Sequence, residues 1–316
     1  MKKFTLNLLV ILVLAATPGL AQGQQGQGAP EGQRGQGQAQ AQAQGQGQGQ
    51  GRGQGQGRGQ RGPTAPARPT PRWPDGHVNL GPPPGEKGIW SPAGINALYQ
   101  YPNPVNRVGA ATLLPNPTKF EDVPYQDWAK ELHEARERNF ESDEPHTRCK
   151  ASPGPRQFIT PYGTEIVEFP DLQRIYIFDI GGPHTYRTIY MDGRQHPAAK
   201  DLKPSYYGHS IGHWEGDTLV VDTIGYNERA WIDREGTPTT TKLHMIEQFT
   251  RPDMNTLRYE VTIDDPGAYT KTWDGGFQLR WNAGTELFEY ICQDNNIAAT
   301  EMLGAGTATR SSPIVP

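Results

Sequence analysis

The sequence predicts a mainly β fold, in which an antiparallel meander closes into a barrel or folds into a sandwich. From residue 165 onward, ten short stretches carry the apolar and aromatic pattern of strands. Turn sequences such as Asp192-Gly193 and Asp265-Pro266-Gly267 separate them, and no helical pattern intervenes. A meander leaves its first and last strands unpaired unless the sheet closes into a barrel or folds into a sandwich. The expected strands are Glu165 to Phe169, Arg174 to Asp179, Tyr186 to Met191, Gly208 to Trp214, Thr218 to Tyr226, Leu243 to Phe249, Leu257 to Ile263, Tyr269 to Trp273, Phe277 to Trp281 and Leu287 to Cys292.

One α-helix is expected ahead of these strands, at about residues 127–140. Trp128, Leu132 and Ala135 recur there at helical spacing, with charged residues on the opposite face. Between residues 73 and 119 proline and glycine recur so often that we expect an extended arm. Arm, helix and strands together form a single β-rich domain over residues 73–316.

The start of the chain predicts export. Residues 1–21 combine two lysines, a short apolar run and small residues before Gln22, as a signal peptide does. Residues 22–72 consist mostly of Gly, Gln, Ala and Pro, which offer almost nothing to bury, so we expect a disordered tail. These features predict a periplasmic or secreted protein with no transmembrane segment.

Charge and cysteine content narrow the function classes. The chain holds 30 basic and 34 acidic residues, and residues 73–316 carry 22 and 33 of them, so the folded part is acidic. An acidic surface argues against a nucleic-acid partner, whereas the basic tail could contact the cell envelope. In an exported chain we expect the two cysteines, Cys149 and Cys292, to form a disulfide, the alternative being two buried thiols.

The densest group of ionisable residues lies between residues 186 and 223. A hairpin centred on Glu215 and Gly216 would pair residues whose numbers sum to 431, placing His209 opposite Asp222. Alternation then puts His209, His213 and Asp222 on one face, which is either a pocket lining or the wet exterior.

This face supports two kinds of chemistry. Two histidines and a carboxylate suit a divalent metal, with Asp192, His184 or His196 as additional ligands. Alternatively, His209 beside Asp222 forms a general acid or base that requires no cofactor. Neither pattern is specific, because a cross-strand His–Asp pair is also common on solvated surfaces.

Other residues nearby are candidates for ligand binding. Arg194 could bind a carboxylate, although pairing with Asp192 to pin the turn is the simpler interpretation. His196 lies in the adjoining loop, and Tyr190 and Trp214 supply aromatic surface. The predicted substrate-binding set is therefore Asp192, Arg194, His196, Tyr190 and Trp214.

Several segments resemble a large family of uncharacterised exported bacterial proteins. The resemblance is carried by IYMDGR at 189–194 with His196-Pro197, by GHSIG at 208–212 and by WEGDTLVVDT at 214–223. It covers nearly the whole chain after the tail, and it implies no activity. His213 stands where the family pattern suggests arginine, which leaves His209 as the better candidate. Gly88-Ile89-Trp90 is also similar to the G-x-W that opens lipocalin barrels.

Three functions follow as hypotheses. The first is an exported protein that binds a small, partly apolar ligand in an aromatic and polar cavity, with Arg194, His209 and Asp222 as polar anchors. The second is a hydrolase, lyase or isomerase using His209 and Asp222, with or without a metal. The third is a structural or interaction module of the envelope, tethered by the tail.

Overall fold

Nine strands form a closed barrel in the computed structural model, which describes residues 68–92, 97–100, 114–138, 144–160, 162–180, 185–229 and 231–292. This confirms the mainly β fold and, of the two expected architectures, selects the barrel. The strands are β1 Gly88–Ser91, β2 Thr164–Phe169, β3 Arg174–Asp179, β4 Tyr186–Tyr190, β5 His209–Glu215, β6 Thr218–Ile224, β7 His244–Asp253, β8 Thr256–Asp264 and β9 Trp273–Ala283. The expected signal peptide, the tail up to residue 67 and His184 lie outside the described residues.

The barrel is mixed, so the purely antiparallel meander was wrong at one place. β4 and β5 are parallel, pairing Ile189 with Ser210 and Tyr190 with Ile211. Two parallel neighbours cannot be joined by a hairpin, because the chain must return along the sheet between them. The segment Met191–Gly208, hereafter the strap, makes this return, and its Ser205 N–H donates to Gly225 O at 3.0 Å.

Closure of the barrel depends on β1, which the sequence placed within the extended arm. Gly88–Ser91 pairs with β9 along its length, and Trp90 also pairs with Thr164 of β2. Gly88 is required here, since a Cβ at this position would lie 2.1 Å from the Trp281 ring. The expected strand at 277–281 lies within the longer β9, which begins only at Trp273, so residues 269–272 and 287–292 were wrongly expected to be strands.

Two α-helices accompany the barrel in the described part of the chain. α1 spans Asp127–Arg138 and buries Ala129, Leu132 and His133. α2 is the single turn Pro155–Phe158, all of whose residues are buried. No described helix is long and apolar enough to cross a membrane.

α2 fills one end of the barrel. Phe158 packs against Phe249 of β7 and Tyr259 of β8, with ring centroids 5.6 and 5.2 Å away. Gln157 Nε2 donates to Ile177 O of β3 at 2.9 Å. These contacts place α2 among the inward-facing side chains, at the end where β2 begins and β3 ends.

The disulfide expected between Cys149 and Cys292 is confirmed. It joins the segment leading into α2 to the chain beyond β9, which ends at Ala283. The covalent link therefore connects the element that fills the barrel with a segment outside the wall.

A buried ion pair crosses the interior of the barrel. Arg187 of β4 bonds Glu247 of β7 through two N–H groups, and the side chains are only 1% and 0% exposed. Because β5 and β6 lie between these strands in the wall, the pair must meet inside it. Ser210, Thr223 and Tyr259 hydrogen-bond to the same two side chains, so the interior at this level is occupied by a polar network.

Candidate functional site

The β5–β6 hairpin has a different register from the expected one. Glu215 pairs with Thr218, so the two-residue turn is Gly216–Asp217 and paired residue numbers sum to 433. Gly216 has φ +60°, whereas Asp217 is not among the residues with positive φ, as expected for a turn that needs glycine at its first central position. Asp222 consequently faces Ile211, and His209 faces Ile224.

The shift by two leaves every side chain on its expected face, because the strand period is two. Ser210 and Thr223 point inward to Arg187. Their neighbours His209 and Asp222 therefore point outward. Of the two possibilities open from the sequence, pocket lining or exterior, the structure shows the exterior of the barrel.

The strap brings a third functional group onto this face. His196 lies between His209 and Asp222: its Nδ1 is 2.9 Å from His209 Nδ1, and its Nε2 is 3.1 Å from Asp222 Oδ1. His244, at the start of β7, places its Nε2 2.8 Å from the same Oδ1. Three imidazoles and one carboxylate thus form a continuous hydrogen-bonded chain, which we call the His–Asp chain.

The hydrogen bonds determine the protonation pattern of the His–Asp chain. An ionised Asp222 can only accept, so His196 and His244 donate to it through Nε2–H. A neutral His196 then has a bare Nδ1, which accepts from His209 Nδ1–H. His209 Nε2 is left as a lone-pair acceptor, and it has no hydrogen-bond partner among the described residues.

Charge and burial keep His209 neutral. Partial burial, followed by the nearby His196 and Arg194, lowers the pKa of His209, with Asp192 opposing the shift. Its free nitrogen is therefore available as a base at neutral pH.

A stacked aromatic and cationic group adjoins the chain, formed by residues that the sequence had suggested. The Tyr190 ring stacks on His209 at 5.3 Å, and the Arg194 guanidinium lies 3.8 Å from the Tyr190 centroid. Arg194 also binds Asp192, at 2.8 and 2.5 Å, and this hydrogen bonding lowers the pKa of Asp192 to about 2. We call Tyr190, Asp192, Arg194 and the His–Asp chain together the His209 patch.

Other candidates lie elsewhere. His213 is exposed and pairs with Glu215 at 2.9 Å. Trp214 faces the other side of the sheet and contacts His77, with ring centroids 5.4 Å apart. The structure therefore brings together Tyr190, Asp192, Arg194, His196, His209 and Asp222, but neither His213 nor Trp214 joins them.

The described residues contain no preformed set of metal ligands. No group of three or more His, Cys, Asp or Glu residues is arranged to hold an ion there. In the His–Asp chain, the facing donor atoms are joined to one another by hydrogen bonds.

Sequence reasoning missed His244. It lies between Lys242-Leu243 and the apolar Met245, so the pattern marks only the beginning of a strand. Its role depends on β7 pairing with β6, where Asp222 faces Ile246. That pairing was implicit in a meander, and applying the outward alternation to residue 244 would have found the contact.

Comparison of the chain with protein-family models, with curated proteins and with solved structures found no match. The site is therefore interpreted from its own geometry.

Proposed function

We propose that this chain is an exported protein that binds a small ligand at the His209 patch. The observation that carries the proposal is the stack of the Arg194 guanidinium, the Tyr190 phenol and the His209 imidazole beside the free His209 Nε2. Planar groups packed in this way favour a planar ligand with hydrogen-bonding groups at its edge. The group lies outside the barrel wall, and the interior nearby is filled by the Arg187–Glu247 network.

Export and a lipocalin-like barrel belong to the same proposal. The lysine-led apolar start of the sequence supports export, and the Cys149–Cys292 disulfide is compatible with an oxidising compartment. Gly88-Ile89-Trp90 opens the barrel as β1, and Trp90 is fully buried. Membership of the exported family suggested by the IYMDGR and WEGDTLVVDT segments is proposed on those motifs alone.

Native mass spectrometry of the mature protein, purified from its own envelope fraction, tests ligand binding. The matched variants are His209→Gln and His213→Gln, which change the same residue type on the same strand, inside and outside the patch. We expect an organic adduct on the wild type and on H213Q that is lost from H209Q. An adduct retained by a triple variant R194Q/H209Q/D222N would show that the ligand binds elsewhere.

Acid–base catalysis is the second candidate, and the bridging position of His196 favours it. When His196 is neutral, His209 Nε2 accepts a proton; when His196 is protonated, it donates to His209 Nδ1 and leaves Nε2–H as a donor. Movement of one proton along the His–Asp chain would thus convert His209 from base to acid. Such coupling suits a hydrolase, lyase or isomerase.

Hydrolysis of p-nitrophenyl acetate at pH 7.5 probes this candidate, since an activated ester reports an accessible imidazole. We expect H209Q to lose about 100-fold or more in rate over background, the usual range for one acid–base group, and H213Q to retain the rate. The rate of His196→Gln should lie between the rates of H209Q and H213Q, because His209 keeps its Nε2 but loses the His196 ring that bonds its Nδ1. Equal rates for all four proteins would reject catalysis by His209.

A further inference from the structure

A second group of polar side chains lies inside the barrel, at the end filled by α2. Asp179 of β3, Thr164 of β2 and Gln157 of α2 are 4%, 1% and 0% exposed. Among the described residues, both carboxylate oxygens of Asp179, the Thr164 hydroxyl, Gln157 Oε1 and the buried hydroxyl of Tyr207 have no hydrogen-bond partner. Buried polar atoms are rarely left unpaired, so a concentration of them demands an explanation.

These groups are neighbours in the fold. Thr164 and Asp179 face each other across the β2–β3 pair, and both are buried. Gln157 Nε2 is bonded to Ile177 O, two residues before Asp179 on β3. Asp179 also lies close enough to Tyr207 to raise the pKa of that phenol, after the larger effect of burial.

Gln157 lies close enough to Asp179 to lower its pKa by hydrogen bonding, against the larger effect of burial, although this contact does not reach full hydrogen-bond geometry. Thr164 and Tyr207 carry O–H donors that could satisfy Asp179, yet neither reaches it. A single bound group that contacted several of these oxygens would satisfy them together.

Charge limits what can occupy this position. The nearest guanidinium groups have carboxylate partners of their own, Arg156 with Glu144 and Arg187 with Glu247. Asp179 has no ion pair within the described residues. Burial raises the pKa of Asp179 well above its usual range, with Arg156 opposing the shift, so the carboxyl group needs either a proton or a positive ligand.

We propose that a small cation, either a monovalent metal ion or a primary ammonium compound, binds between Asp179, Thr164 and Gln157 Oε1. Every unpaired atom facing the position is oxygen, the ligand type that hard cations prefer. A primary ammonium would satisfy the same atoms through its three N–H donors. This site is independent of the His209 patch, which lies on the outer face of the barrel.

Anomalous diffraction identifies a metal ion directly. Crystals of the mature protein grown with rubidium chloride should show a rubidium peak in contact with Asp179. Melting temperatures at pH 8 provide the second readout, comparing sodium, potassium, ammonium and methylammonium chlorides with tetramethylammonium chloride at equal ionic strength. A cation at about 100 times its dissociation constant should raise Tm by about 5 °C.

Matched variants separate binding from general salt effects. Asp179→Asn should abolish the cation-dependent rise in Tm, and Thr164→Val should reduce it while leaving the packing of β2 nearly unchanged. Asp171→Asn alters an exposed carboxylate in the turn between β2 and β3 and should respond like the wild type.

Each outcome decides the proposal. A rubidium peak supports the metal ion, and a rise with methylammonium alone, absent in D179N, supports an ammonium ligand. Ordered water at the position, together with identical Tm values in all five salts, would overturn the proposal.

Discussion

His146 offers a test of how burial of one side chain sets the pH dependence of stability. Its Nδ1 lies 3.1 Å from Ser152 Oγ. Burial, and then Arg156, lowers its pKa from the usual 6.5 to about 4. Because the folded-state pKa is depressed, the neutral ring contributes stability above pH 6.5, and this contribution is lost as the pH falls towards 4.

We expect His146→Gln to remove most of this acid sensitivity. Over the window from pH 6.5 to about 4, the wild type should lose roughly 2 to 3 kcal/mol more unfolding free energy than the variant. Urea unfolding at four pH values across the window measures the difference. His213→Gln, at an exposed site, should follow the wild type; parallel curves for H146Q and the wild type would contradict the argument.

The tautomer of His209 is a second prediction at the scale of a single residue. When His196 is neutral, the His–Asp chain requires a proton on His209 Nδ1 and a bare Nε2, whereas free imidazoles favour the opposite form. Long-range ¹H–¹⁵N correlation spectra distinguish the two tautomers by their nitrogen shifts. In Asp222→Asn the side chain can turn an N–H₂ donor towards His196, so we expect the His209 signal to move towards a mixture. A dominant Nε2–H form in the wild type would mean that the chain does not orient His209.

The sequence could identify most of the His209 patch but not its connections. Alternation placed His209 and Asp222 on one face, and the turn Asp192-Gly193 indicated that Arg194 would pin it. His196 links His209 to Asp222 because of the path that the strap takes. No periodic pattern in the sequence predicts that path. Arg187 and Glu247 were missed for another reason: each is the one charge in the inward row of its expected strand, and only their partners across the barrel explain them.

At the scale of secondary structure, the β5–β6 turn allows the cost of an unfavourable backbone conformation to be measured without a steric clash. A Cβ at Gly216 would meet no described atom within 4 Å. The effect of Gly216→Ala should come from backbone conformation alone, and we expect a loss of about 1 to 2 kcal/mol for a residue at φ +60°. Gly216→Asn should cost less, since asparagine enters positive φ more readily. Urea unfolding compares the three proteins, and equal midpoints would show that the turn does not restrict this position.

Elements differed in how far the sequence determined them. β3 and β8 were predictable because inward apolar residues alternate along each of them. The parallel pairing of β4 with β5 was not, because a parallel neighbour leaves no turn signal between the strands. β1 was hidden by the proline and glycine around it, and it is a strand because β9 and β2 supply hydrogen-bonding partners.

For the whole molecule, the disulfide should contribute substantially to stability. Cys149 and Cys292 are separated by 143 positions, and a bridge closing a loop of that length is worth about 4 to 5 kcal/mol on the loop-entropy model. The double variant C149S/C292S should therefore unfold at markedly lower urea concentration than the oxidised wild type. Wild type reduced with dithiothreitol should match the variant; a variant as stable as the oxidised protein would show that α2 is held by packing alone.

The Arg187–Glu247 pair tests whether the barrel interior tolerates an unpaired charge. Arg187→Met leaves Glu247 buried with Tyr259 as its remaining partner, 2.9 Å away, and should cost about 3 to 5 kcal/mol. Replacing the network together, as R187M/E247L/Y259F, should cost much less than the sum of the single changes, because no buried charge is then left unpaired and Ser210 and Thr223 keep each other as partners at 3.0 Å.

The exposed pair Arg258–Glu260 is the control, and R258M should cost less than about 1 kcal/mol. Urea unfolding measures the free energy of unfolding of R187M, of the triple variant and of R258M. If R187M is too unstable to be produced, the triple variant still gives a free energy for the barrel without the network. If R187M were no worse than R258M, water would have to reach Glu247. The interior would then be open enough to hold a ligand, and binding inside the barrel would replace the outer His209 patch as the better proposal.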